Sequence, residues 1–96
     1  MAVVYVLFSP TLNKFYDGSC LNLEQRLLDH KNKIYKNSYT TVTDDWQLYY
    51  SMNNLAGIVA RKIEDHIKST KSKRYIENLK KYPEITIKLI TKFLEI

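Results

Sequence analysis

Glycine is scarce in this chain. It has two among 96 residues, Gly18 and Gly57. That excludes a glycine-rich loop cradling phosphate. A single cysteine, Cys20, excludes an internal disulfide and points to a reducing, cytoplasmic setting. Cys20 with His30 and His66 makes no zinc site, because the ligands are too few and their spacing fits no zinc pattern. Nor does any sequence signature of a nucleophile surround Cys20. No apolar run approaches the roughly 18 residues of a membrane span, so no membrane partner is expected. Met1 leads straight into a strand pattern, without a basic region or a small-residue cleavage site, so no signal peptide is expected. Neither repeat nor linker interrupts the chain, and residues 1–96 are expected to form one domain.

Hydrophobic residues make up 45% of the sequence, enough for a packed core rather than disorder. Tyrosine is heavy, with eight copies. Its ring packs while its hydroxyl stays polar, so some copies belong at the rim of a core or in a site. Charge is unevenly spread. Residues 61–81 carry eight cations (Arg61, Lys62, Lys68, Lys71, Lys73, Arg74, Lys80 and Lys81) against Glu64, Asp65 and Glu77. That is +5, equal to the formal charge of the whole chain. A localised basic surface attracts polyanions. A lysine-rich solvated helix face accounts for the cluster equally well.

Residues 2–8 are β-branched or aromatic on both alternations, which predicts a central strand covered on both faces. Residues 9–13 carry turn chemistry, and Lys14–Ser19 reads as the returning strand, ended by Gly18. This hairpin sets Tyr5 opposite roughly Tyr16 to Gly18. Asn22 caps a helix from Leu23, with Gln25 in capping-box position. Leu23, Leu27, His30 and Ile34 form its apolar stripe, and Arg26 neighbours His30 one turn away. Residues 31–45 lack a clean period and read as a fraying helix end and a loop. Trp46–Ser51 reads as a third strand with Trp46, Leu48 and Tyr50 on one face. Asn53 or Asn54 is the expected cap of the next helix, whose buried stripe is Leu55, Ile58, Val59, Ile63 and Ile67, bordered by Glu64. Residues 69–72 break it, and Ser72 caps a short helix to Lys81. Pro83 suits the start of a last helix packed through Ile85, Leu89, Ile90, Phe93 and Leu94. Residues 85–89 also alternate like a strand. The expected order is β-β-α-β-α-α-α: an α/β (α+β) fold with a small, mostly antiparallel three-stranded sheet flanked by helices.

Taken together, the hairpin and helices resemble the GIY-YIG nuclease family over nearly the whole chain. Val3-Val4-Tyr5 stands for the first tripeptide of that family and Tyr16-Asp17-Gly18 for the second, with the tyrosines eleven positions apart. Arg26 follows Tyr16 by ten residues, and His30 follows Arg26 by four. The later stretch around Glu64, Lys68 and Lys71–Ile76 resembles the helices of small single-domain members. A lone Tyr-x-Gly carries no information, whereas this ordered set is specific. Two departures stand out. The first tripeptide keeps only its tyrosine, and Asp17 replaces a β-branched apolar residue. Alternation turns Asp17 away from Tyr16, free to pair with a cation or touch substrate.

The resemblance implies a metal-dependent endonuclease hydrolysing DNA phosphodiester bonds, of use in repair or recombination, with Mg²⁺ or Mn²⁺ as cofactor. Glu64 is then the metal ligand; apart from the resemblance it reads as a helix glutamate pairing with Lys68. Arg26 offers phosphate a planar, permanently charged fork. Tyr5, Tyr16 and His30 share water activation, with no single base assigned, because a free phenol titrates near 10. Gly18 is structural, letting the backbone turn and approach substrate. Asn78 stands for an asparagine that often follows the glutamate. Lys31, Lys33, Lys36, Lys68, Lys71, Lys73 and Arg74 are the expected DNA contacts, and Tyr35 or Tyr39 a base-stacking group. A protein partner supplying specificity fits so small a domain. A nucleic-acid-binding module without cleavage and a protein-interaction scaffold are the alternatives.

Overall fold

The apolar character of both faces of the first strand is explained by its place in the sheet. The computed structural model describes residues 1–31 and 45–94, with the backbone alone at 30 and 31. In chain order it contains β1 (Ala2–Ser9), β2 (Lys14–Cys20), α1 (Leu23–Lys31), β3 (Gln47–Leu55), α2 (Gly57–Thr70), α3 (Lys73–Lys81) and α4 (Pro83–Leu94). The sheet is antiparallel with order β2-β1-β3, so β1 is central. Ala2, Val4 and Val6 face the main core with Met52, Val59, Ala60, Ile63, Ile67, Ile76, Leu79 and Leu89. Tyr5 and Leu7 face the other way, into a smaller cluster with Cys20, Leu23, Leu27, Tyr16 and Trp46. Among the described residues, α1 thus covers one face, and α2 to α4 cover the other. Most of the expected 31–45 loop, with Lys33, Tyr35, Lys36 and Tyr39, lies outside the described residues.

Asp45 staples the hairpin turn. Ser9 Oγ donates to Asp45 Oδ1 at 2.6 Å, and the Thr11 N–H donates to Oδ2 at 2.8 Å. The Asn22 cap is present, its Oδ1 accepting from the Gln25 N–H at 3.1 Å. Ser72 caps α3 in the same way through the Tyr75 N–H, also at 3.1 Å. The last segment is helical from Pro83, so the strand alternative for 85–89 is set aside.

Several expectations are corrected. The third strand is longer than Trp46–Ser51 and continues to Leu55. Two bulges make this possible: register shifts fall between Val6 and Leu7, and between Ala2 and Val4. The first puts Tyr50 opposite Val6 and Leu48 opposite Leu7, so Tyr50 and Leu48 lie on opposite faces. At the second bulge Asn54 takes a left-handed φ of 60°, a conformation asparagine tolerates. Asn53 and Asn54 therefore belong to the strand, and the N-cap of α2 is Ala56, without a side-chain hydrogen bond. Ile58 is 68% exposed. At about 100° per residue it lies opposite Ile67, and the buried stripe is Val59, Ala60, Ile63 and Ile67. Leu94 is exposed as well.

Gly18 is a further correction. It does not end its strand, which runs on to Cys20, and its φ is not in the left-handed region. It pairs with Tyr5. A Cβ at Gly18 would stand 2.6 Å from Tyr5 Oη and 2.8 Å from Tyr5 Cζ. Tyr5 is 1% exposed and wedged in its cluster, so the ring cannot swing aside. Glycine is required here for space. Accordingly, Gly18→Ala should destabilise the protein by about 1–3 kcal/mol, as overpacked cores do. Tyr5→Phe should recover only part of that loss, because the ring carbon remains in the way. Urea denaturation of both variants and the double variant checks this.

Candidate active site

The two faces of β2 carry different chemistry, and each follows from strand alternation. Tyr16, Gly18 and Cys20 pair with Leu7, Tyr5 and Val3, on the α1 face. Asp17 and Ser19 pair with Val6 and Val4, on the α2 face. Among the described residues β2 is an edge strand, so both sets lie beside the same outer edge.

On the α1 face, the Tyr5 phenol crosses Gly18 and is hydrogen-bonded to the Arg26 guanidinium, with Tyr16 and Cys20 nearby. Arg26 comes from the first turns of α1, held down by Leu23 and Leu27 against Tyr5 and Leu7. Burial pushes the Tyr5 phenol far above its usual range, and Tyr16 adds to this; Arg26 opposes both. Tyr5 is therefore a neutral hydroxyl at working pH. Burial also raises the Cys20 thiol, so it is not a thiolate nucleophile. Tyr16 is half-buried, its ring edge-on to Trp46 at 6.3 Å between centroids. Tyr16 is the more exposed phenol of the pair.

On the α2 face, Glu64 is held at both oxygens. Ser19 Oγ donates to Oε1 at 2.6 Å, and Lys68 Nζ donates to Oε2 at 2.6 Å. The Glu64 side chain is only 16% exposed, against 49% for Lys68. Burial pushes the Glu64 carboxyl up, but the hydrogen bonds from Lys68 and Ser19 outweigh it and hold the carboxyl below its usual value. The bond to Glu64 raises Lys68 in turn. Tyr16 lies within electrostatic reach of Tyr5 on one side and of Lys68 on the other.

The structure therefore gathers Tyr5, Tyr16, Gly18 and Arg26 into one cluster and seats Glu64 against Ser19 across the same strand. The His30 and Lys31 side chains lie outside the described atoms. Asn78 does not join Glu64; it lines an open groove on α3 of about 470 Å³ with Arg74, Glu77, Lys81 and Tyr82. Lys68 is engaged by Glu64, and Lys73 ties α3 to the hairpin through the Asn13 carbonyl oxygen. Lys71 and Arg74 are exposed. Sequence reasoning missed Ser19, which alternation from Asp17 would have found, and Trp46 as a wall beside Tyr16. Among the described residues no three His, Cys, Asp or Glu side chains group as a metal cage. One or two carboxylates with room for water is instead the donor set that suits Mg²⁺.

Asp17 is the unusual member of this face. It is 8% exposed, and its Oδ2 has no hydrogen-bond partner. Burial, helped by Glu64 and opposed by Lys68, pushes its carboxyl up to about 6 from 3.8. The folded state thus holds this proton more tightly than the unfolded chain. The resulting penalty is absent below the unfolded value, grows as pH rises through the interval up to about 6, and is constant above it. Asp17→Asn should stabilise the metal-free protein by on the order of 2 kcal/mol at pH 8 and by nothing near pH 3. Thermal melts across that range check it.

Among the described residues, no helix is long and apolar enough to cross a membrane. No curated protein and no solved structure matches the chain. The GIY-YIG catalytic domain does match it, over residues 1–82, spanning the hairpin and every element through α3. With its antiparallel three-stranded sheet and its tyrosines in place on adjacent strands, the chain belongs to the GIY-YIG family of nucleases.

Proposed function

We propose that residues 1–96 form one nuclease domain that hydrolyses DNA phosphodiester bonds with the help of Mg²⁺ or Mn²⁺. The observation that carries this reading is the pair of groups flanking β2: a guanidinium on a buried phenol on one face, and a half-sheltered carboxylate clamped by a serine on the other. Glu64 is the residue that would hold the ion, with Asp17 close by. Such an ion supplies charge neutralisation and a more acidic water.

The remaining roles follow from the side chains themselves. Arg26 holds a phosphate oxygen through its second N–H edge, and its charge meets the charge that grows during attack. Tyr5, kept neutral by burial, accepts an Arg26 N–H at its hydroxyl oxygen and so fixes the guanidinium. Tyr16, the more exposed phenol, orients the attacking water and passes on its proton, with His30 one turn beyond Arg26 as the group that receives it. Exposed Lys71 and Arg74, with Lys31, Lys33 and Lys36, hold the DNA backbone, and Tyr35 stacks on an exposed base. Structure-selective cutting in repair or recombination, in the cytoplasm and guided by a protein partner, fits a domain with this little surface for sequence readout.

A binding module without cleavage is the second reading, favoured by the occupation of both Glu64 oxygens. Cleavage separates the two. On branched or single-stranded DNA with Mg²⁺, Arg26→Ala should lower the rate by about 10²–10³-fold, and Glu64→Gln by at least as much. Tyr16→Phe should cost more than Tyr5→Phe. Equal nicking by wild type and Glu64→Gln would refute the site. Tight, salt-sensitive DNA binding with no cleavage in any protein would establish the module instead.

A further inference from the structure

Asp17 and Lys68 have no role in the reading above, yet they stand beside Glu64. Residues 17 and 19 share the α2 face of β2, about 6.6 Å apart along the strand. Residues 64 and 68 are one turn apart on α2, a rise of about 6 Å. The two spacings match. With Glu64 at Ser19, Lys68 is the cation whose charge acts on Asp17, which puts Lys68 on the Asp17 side of that contact. Its ammonium is bound to one carboxylate and within electrostatic reach of the other. The other is buried, with an acceptor oxygen that no donor reaches. A buried acceptor without a partner is costly, and costlier still when charged.

We propose that Lys68 occupies Glu64 as an internal counter-ion until a divalent cation binds there, and that Asp17 then receives the displaced ammonium. The inference rests on the reading of Glu64 as an ion ligand. Ser19 can stay in place, because a carboxylate offers about four acceptor positions and its bond uses one. Lys68 cannot, because its positive charge lies where the second positive charge arrives. Its stem is flexible and its side chain half exposed, so moving along β2 requires no repacking. On arrival the ammonium satisfies Asp17 Oδ2 and neutralises that carboxylate. Asp17 is thus a positioning residue that acts through Lys68.

Calorimetric titration with Mn²⁺ tests this on the whole chain, without DNA. Lys68→Met, which keeps the stem and removes the charge, should tighten Mn²⁺ binding about tenfold. Asp17→Asn should weaken it about fivefold when Lys68 is present and less than twofold in the Lys68→Met background. An equal loss in both backgrounds would overturn the inference and make Asp17 a direct ligand or a remote charge. No gain from Lys68→Met, while Glu64→Gln abolishes binding, would overturn the inference alone. Mn²⁺ binding untouched by Glu64→Gln would overturn the ion reading and the inference with it. Melting curves confirm folding, and Asp17→Ser replaces Asp17→Asn should the amide unfold the chain.

Discussion

The phenol ring of Tyr5 fills the space that a side chain at Gly18 would take, and the geometry of the site depends on that contact. A slip of one residue between β1 and β2 would set the ring against Asp17 or Ser19 and turn every side chain of β2 to the wrong face. The contact therefore fixes register. It also carries the phenol toward Arg26, out of water and into the reach of a permanent cation. One missing side chain thus determines strand pairing, the protonation state of a tyrosine and the anchoring of an arginine.

An edge strand suits a site whose parts come from different sides of a sheet. Arg26 is close in sequence and arrives by way of α1, six residues after the end of β2. Glu64 is distant and arrives only because Val59, Ala60, Ile63 and Ile67 seat α2 on the opposite face. In a central strand the two faces would be separated by neighbouring strands. At β2 they meet around an edge that no described strand pairs, and Tyr16 lies within electrostatic reach of groups on both faces. Stability of the main core thus bears directly on where the carboxylate stands, although no core side chain touches the chemistry.

Local rules made much of this readable from the residues. The double apolar alternation of β1 announced a central strand, the Asn22 and Ser72 caps announced α1 and α3, and Pro83 announced α4. Those signals act within a few residues. Glu64 was readable both as a partner of Lys68 and, by resemblance, as a ligand; the ion pair is there, but on a carboxylate far more sheltered than a plain surface helix provides. What failed depended on tertiary pairing. Asn53 and Asn54 have the chemistry of caps, yet β1 offers their backbone a ladder, and a bulge absorbs the mismatch. Ile58 looked buried because the helix was begun too early. Gly18 was given a conformational role, when its reason lies in a ring thirteen residues earlier in the chain.

The two bulges of β3 have a further consequence. A bulged strand twists away from flat pairing and exposes its amides and carbonyls out of step, so it is a poor template for another chain. β2 pairs with β1 without a single shift and leaves its outer edge regular. The sheet therefore has one bulged border and one regular border, and the regular one is where the cluster of phenol, guanidinium and carboxylate lies. Protection from strand addition on that side falls to charge: Lys14 is exposed on β2, and Lys68 with the buried Asp17 flanks it. Charge beside a regular edge disfavours the addition of another strand, whichever chain it comes from.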